Sequence, residues 1–500
     1  VMPKTPQLRH YPFGTPVPDS QLAVVASLPT LADLIAYEEK TPEALAQMSL
    51  GYPRFVRHRY VRAVDAWLAA QIHARDETVR VMASASATER MVAWMGTGEA
   101  TVCDGLALGR FPGDDATRRR ADAFAQHTGL SIGSRQAEDI LCHRGLLDAP
   151  QPETLFSGDA AACIHEHLSP FLNTPHRHLC ASGMNAFLGA MHAVRSVQRP
   201  HNRTIYIQLG WLYLDTQRVL EKFLEPDERV VTLYDVHDRE ALEAVFREHG
   251  PSVAAVITEA PTNPLGHFPD LLHLGEHCRR HGALRIVDPS LAGVVNTDVL
   301  PHCDLLVTSL TKYAASHGDV MAGLVAVNPD APEAAALTAA IAEATQPLYE
   351  RDARRLAAQI HEMPATAERM NANAAVVAEY LLDHPAIARV HLPNDPRQHA
   401  QRSPVARSDA ATGAVLTFEL SGDLAPFYDR SRIVKGPSFG TRFSLMCPFL
   451  YLAHYDLVTT PKGRKTLLSN GLNPELIRLS VGTEPVETII AALDLGLQDP

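Results

Sequence analysis

A chain of 500 residues, 46% hydrophobic and 20% charged, has ample material for a buried core and is long enough for two or three domains. The formal net charge of −12 and the lack of any long basic block argue against nucleic acid as the main partner. Every apolar run breaks well short of the roughly 20 residues a membrane-crossing helix needs, so no membrane role is expected. Seven cysteines without CxxC spacing, and an N-terminus with no apolar signal core, predict a reduced, cytoplasmic setting.

In chain order, residues 1 to about 30 are Pro-rich with little periodicity and read as an extended arm. The spacing from Leu28 to Met48 predicts a helix with Thr30 as N-cap. Gly51 to Phe55 is a turn, since Pro53 biases Tyr52 away from helix, and His58 to Ala74 returns to helical period. These segments make up an N-terminal unit, 1–74. Residues 75–154 read as an insertion subdomain with a strand feeding a helix, a strand and turn, and two exposed helices. Its Gly113-Asp114-Asp115 could suggest a metal but reads as a polar loop.

From about 155 the pattern alternates helix and strand. The strands, such as SVAAVITEA, ALRIVD and DLLVTSL, are almost continuously apolar. That predicts an α/β domain, 155–345, with a mainly parallel sheet covered on both faces. A helical tract over 335–385 is expected to break near Pro347 and Pro364. Shorter strands, including one at Thr441 to Met446, and a final helix predict a smaller α+β domain, 346–500.

Ligands of parallel sheets bind at the carboxyl ends of strands. Ser182, Tyr213, Glu259, Asp288 and Lys312 all fall at or just after such ends. A lysine after a strand is ordinarily a solvated surface residue. If buried, its amine is exposed as a nucleophile that can hold a carbonyl cofactor. Ala181-Ser182-Gly183-Met184 closes a strand and opens a helix, which makes an anion site or an ordinary tight turn. Asp288 could pair with a protonated ring nitrogen or cap a helix. Asn263 could bond a cofactor oxygen or form an Asn-Pro turn. Tyr213 could stack on a flat ring or fill the core. Arg478, inside an apolar strand, needs a partner: a substrate carboxylate or a structural ion pair. No metal-ligand spacing such as HExxH is found, and no metal is expected.

Taken together, EAPTNP, IVDPS, TSLTKY, HGDVMAG and the terminal RLSVGTE, in that order, resemble the Cys/Met-metabolism family of fold-type-I pyridoxal-phosphate (PLP) enzymes. The resemblance covers about 51–74 and 155–500. The long form and the YPRF wording look like the fungal-type cystathionine γ-synthases. The resemblance implies pyridoxal 5'-phosphate as cofactor, bound by Lys312 as a Schiff base, with Asp288 at the pyridinium nitrogen. It implies Tyr213 stacked on the ring and moving protons, and Gly183, Met184, Ser309 and Thr311 around the phosphate. Asn263 would meet the ring hydroxyl, and Arg478 and Ser438 would orient the substrate carboxylate. Tyr52 and Arg54 match a pair that the family sends into a neighbouring subunit's phosphate site, which implies a homodimer or homotetramer with shared sites.

The implied reaction is γ-replacement on an activated homoserine ester by a thiol such as cysteine. The alternatives are γ- or β-elimination, substitution by another nucleophile in secondary metabolism, or a non-catalytic assembly subunit. Retention of Lys312, Asp288, Tyr213 and Arg478 together argues against the last. Three positions depart from the family: Leu214 and Asp215 stand for glycines, as does Ala315. All three are expected on the active-site wall.

Overall fold

The computed structural model of the chain describes residues 5–498, so the first four residues of the expected arm lie outside the described residues. A seven-stranded sheet organises the molecule. From edge to edge it runs Arg177–Cys180, Gly323–Val327, Leu305–Ser309, Leu284–Asp288, Val253–Glu259, Ile205–Leu209 and Arg229–Leu233. The last five strands are parallel, and Gly323–Val327 is antiparallel to both of its neighbours. That strand was not predicted: five residues after a glycine-containing loop show no period that separates strand from loop.

Both faces of the sheet are covered, as continuous apolar strands require. Alternate residues feed opposite cores. Ile207, Val256, Val287 and Leu306 point to one, and Tyr206, Ile257, Ile286 and Val307 to the other. Beyond it, a five-stranded sheet runs Ile387–His391, Val415–Leu420, Ile477–Ser480, Leu445–Pro448, Val434–Lys435. The helical tract divides into Ala334–Ala344, Glu350–Ala357 and Met363–Asp383, with Pro347 between the first two and Pro364 in the first turn of the third. The strand expected at 441–446 begins only at Leu445. No helix among the described residues is long and apolar enough to cross a membrane.

The helix expected over 28–48 is two helices, Leu31–Glu39 and Pro42–Gln47. Thr30 and Asp33 form the capping box of the first. Lys40 takes a left-handed conformation, and Thr41 with Pro42 starts the second. The described part of the arm lies on its own chain. Leu28 N–H donates to Lys435 O at 3.0 Å and Val24 N–H to Gly318 O at 2.9 Å. Val25 packs with Tyr52, Val434, Phe443 and Leu445.

Within 75–154, an antiparallel sheet of Thr78–Val81, Leu106–Phe111 and Glu99–Cys103 packs with helices Ala85–Met95, Asp115–Thr128 and Ser134–His143. Asp114 caps the second helix rather than facing a metal. The last two helices are not simply exposed, as their charge suggested. Phe124 and His127 are buried, and Arg135 is among the largest fully buried side chains. Arg135 bonds Glu153 (2.8 Å), Asp352 (2.9 Å) and Asp319 O (2.7 Å). The charges that read as a solvated face instead fasten this segment to the body of the molecule.

Candidate active site

The carboxyl edge of the large sheet forms one wall of a cavity of about 1080 Å³, its mouth included. Just past the Leu305–Ser309 strand the chain turns sharply, with Tyr313 in a left-handed conformation (φ 57°). The fully buried Tyr313 phenol donates to Leu291 O (2.9 Å) and accepts from Ala414 N–H (3.1 Å). This anchor holds the unfavourable backbone and aims Lys312 inward. The Lys312 ammonium position donates to Ser438 Oγ at 2.6 Å. Burial, and then the nearby charges of Arg478 and Arg54, hold the Lys312 amine well below the usual lysine range. It therefore gives up its proton, and acts as a nucleophile, more readily than an ordinary lysine.

Asp288 and Glu259 end adjacent strands in register. Burial raises both, Asp288 to about 6 and Glu259 to about 8, and the Asp288 charge adds to the rise at Glu259. Glu259 accepts from the backbone N–H of Tyr213 (2.5 Å) and of Asn263 (3.0 Å). Asp288 accepts from Ser290 N–H (2.7 Å). Among the described residues neither carboxylate has a cationic partner within ion-pair distance. A protonated ring nitrogen would supply one to Asp288.

The Gly183–Gln198 helix opens beside them. Its N-cap, Ser182, accepts from Asn185 N–H (3.1 Å), which leaves the Gly183 and Met184 N–H groups for a ligand. The cradle is narrow. A Cβ on Gly183 would fall 3.0 Å from Ser309 Cβ, and one on Gly323 would strike Ser182 O at 2.2 Å. Thr311 lines the cavity too, but its hydroxyl is tied in both directions to the backbone of Ala322 (3.1 and 3.3 Å), so it shapes the cradle more than it faces a ligand. An anionic group at the helix start, a cationic ring nitrogen at Asp288 and a carbonyl at Lys312 are the demands of a pyridine-aldehyde phosphate. The residues present fit it.

Arg478 lies in the Ile477–Ser480 strand, donating to Asn263 Oδ1 (3.2 Å) and Ser438 O (3.0 Å). The rings of Phe439 and Phe449 lie 5.0 and 4.9 Å from its guanidinium. Among the described residues no carboxylate pairs with it. Asn263 spends its carbonyl on Arg478, leaving its amide NH₂ to meet a ring oxygen.

The resemblance sends Tyr52 and Arg54 into a neighbouring subunit's site, and in this chain they line the chain's own cavity. Arg54 donates to Asp215 Oδ2 (2.5 Å), Tyr213 Oη (2.7 Å) and Gln126 O (2.8 Å), and the Tyr52 ring lies 5.3 Å from Lys312 Nζ. The departures at 214, 215 and 315 also separate. Leu214 lines the cavity. Asp215 is fully buried behind it and also accepts from Gln126 (2.9 Å) and His127 (3.1 Å). Ala315 is not on the wall at all but in the large core.

The comparisons with known proteins bear on this geometry. The model of the "Cys/Met metabolism PLP-dependent enzyme" family matches residues 160–498. The chain belongs to this family. It is a PLP-dependent enzyme of the transsulfuration type, and the cavity around Lys312 has the features such a cofactor needs. The L-2-amino-4-chloropent-4-enoate dechlorinase/desaturase of Streptantibioticus cattleyicolor is 36% identical over 95% of this chain and 96% of its own length. The cystathionine γ-synthase of Neurospora crassa is 29% identical over 64% of this chain and 51% of its own. The crystal structure of cystathionine γ-synthase from Xanthomonas oryzae pv. oryzae in complex with cystathionine superposes with a TM-score of 0.57 at 25% identity, covering 66% of this chain and 83% of that one. The long form is thus not confined to the fungal enzymes, since the Streptantibioticus relative is matched almost end to end.

Sequence reasoning missed four contributors. Glu259 was noted at a strand end without a role. Asp215 was noted only as a departure. Gln126 and His127 gave no signal, because they lie 89 and 88 residues before the aspartate they touch.

Proposed function

We propose that this enzyme expels a leaving group from the γ-carbon of a small L-α-amino acid with an apolar side chain, and does so without adding a thiol. The observation that carries this reading is the supply of free cations in the cavity. Replacement by cysteine brings a second α-carboxylate into the site. Arg54 is already committed to Asp215 and burial disfavours a charge on Lys312, so Arg478 is the one guanidinium of the cavity, among the described residues, that lacks an acidic partner. The remaining wall, with Leu214, Met321, Phe439, Phe449 and Leu452, offers apolar contact rather than a second polar seat. The Streptantibioticus relative supports the same reading, since its name puts the lost chlorine on C4, the γ-carbon.

Bound pyridoxal phosphate would supply an electron sink conjugated with the substrate's Cα. Lys312 Nζ, buried and short of its usual proton affinity, takes the proton from Cα and can carry it along the substrate. Asp288 would face the ring nitrogen of the bound cofactor and would favour its protonated, electron-poor form. Arg478 pairs with the substrate carboxylate between two phenyl rings that exclude water and strengthen the pair. Burial raises the Tyr213 phenol well above its usual range. It therefore remains a hydrogen-bond donor, oriented by Arg54. Glu259 sets the position of Tyr213 and Asn263 through their backbone N–H groups.

The test is chloride release from L-2-amino-4-chloropent-4-enoate with and without cysteine, beside cystathionine formation from O-acetyl- and O-succinylhomoserine with cysteine. Chloride release that cysteine leaves unchanged is the expected result. Cystathionine formation with the higher kcat/KM would overturn the proposal in favour of γ-replacement.

A further inference from the structure

A second cluster of chemistry-bearing side chains lies on the outer layer of the large domain, on two helices that supply nothing to the cavity. His273 and His277 are four residues apart on the Leu271–His281 helix and so share one face. Glu243 reaches toward them from the neighbouring Arg239–His249 helix. Each of the three can present one ligand atom such that all lie within 4.8 Å of one another. His273 Nε2 and Glu243 Oε1 are already 3.5 Å apart, close to the ~3.4 Å edge of a tetrahedron with metal–ligand bonds of ~2.0–2.1 Å. His273 Nε2 and His277 Nδ1 are shielded from solvent and have no hydrogen-bond partner, an arrangement that ordinarily costs stability.

We propose that Glu243, His273 and His277 form a binding site for a divalent transition metal, with zinc the best match. Two imidazoles and a carboxylate are borderline ligands that suit zinc rather than calcium or magnesium, and three protein ligands leave a fourth position for water. The ion would satisfy both stranded ring nitrogens at once and tie the two helices together. Phe246, one turn on from Glu243, has its ring 5.3 Å from that of His277 and closes the apolar side of the site. His273-Leu-Gly-Glu276-His277 carries its glutamate just before the second histidine, the H-x-x-E-H order rather than HExxH, and the third ligand, Glu243, lies on a separate helix, so a search for HExxH passes over the site.

The test uses the holoenzyme. Wild type, His273→Ala/His277→Ala and Glu243→Gln are stripped with EDTA, incubated with zinc chloride, desalted and assayed for zinc by mass spectrometry. Wild type is expected to retain one zinc per chain more than the double variant. Glu243→Gln, at a more exposed position, is expected to weaken the apparent Kd by about tenfold or more. Zinc should raise the Tm of wild type and not that of the double variant, while all three keep the same cofactor absorbance. Equal zinc in wild type and double variant, or no zinc above that of the buffer blank in wild type, overturns the proposal.

Discussion

At the scale of single residues, the site works by burying charges whose partners are ligands. Lys312 is buried beside two guanidinium groups, so its amine loses its proton more readily than an ordinary lysine's. Lys312→Ala is expected to lose the yellow absorbance that borohydride bleaches and to lower turnover by about 10²–10⁴-fold, the worth of a general acid–base group. Retention of both would remove Lys312 from the mechanism. Asp215 shows the opposite economy, with a permanent partner inside the protein. Burial alone would raise it, but Arg54 and His127 outweigh that and lower it to about 2. Its folded value is thus below that of the unfolded chain, near 3.9. The stability it contributes is complete above that unfolded value and is lost as pH falls toward about 2, roughly 2 kcal/mol in all. The gap in urea midpoint between wild type and Asp215→Asn should be constant above about pH 5 and narrow from about pH 4 to pH 2. A gap that does not change with pH would show that Asp215 and Arg54 are not paired.

At the scale of elements, the strands and the motif residues at their ends were legible because a buried strand needs an unbroken apolar run and a ligand site needs the residue after it. The helices of 115–143 were misjudged because charge density reads as solvent exposure, and only the fold shows that Arg135 faces three acidic or carbonyl partners indoors. Removing that guanidinium leaves Asp352 buried without its ion-pair partner, while Glu153 keeps only Arg351. Arg135→Ala should therefore lower stability by about 3–5 kcal/mol, seen as a lower urea midpoint at unchanged m-value. A change below ~1 kcal/mol would place this network at a hydrated surface. The same segment reaches the cavity from the other end, where Gln126 and His127 fix Asp215 and, through it, Arg54. The departure from glycine at position 215 is thus the other half of the Arg54 contact rather than a change to the substrate wall.

At the scale of the whole molecule, we propose that the site is completed within one chain, since Arg54 bonds Tyr213 and Asp215 of its own chain. Mixing Arg54→Ala with Lys312→Ala chains, unfolded and refolded together, should restore no activity. In a site shared between subunits, one mixed site would carry both intact residues, and recovery of up to about a quarter of wild-type activity, from random pairing, would show the arm crossing over.

The sequence alone determined the family, the cofactor and the mostly parallel sheet, and it singled out Lys312, Asp288, Tyr213, Asn263 and Arg478, which the structure brings to one cavity. Each of these rests on local pattern: apolar periodicity, strand ends and short ordered motifs. Only the tertiary structure decided the path of the arm, the burial of Ala315, the tie between Thr311 and Ala322, and the joining of residues 54, 126, 127 and 215. These depend on which distant segments meet when the core closes. Such contacts form between residues tens to hundreds of positions apart, and nothing in the local pattern of either partner records the other.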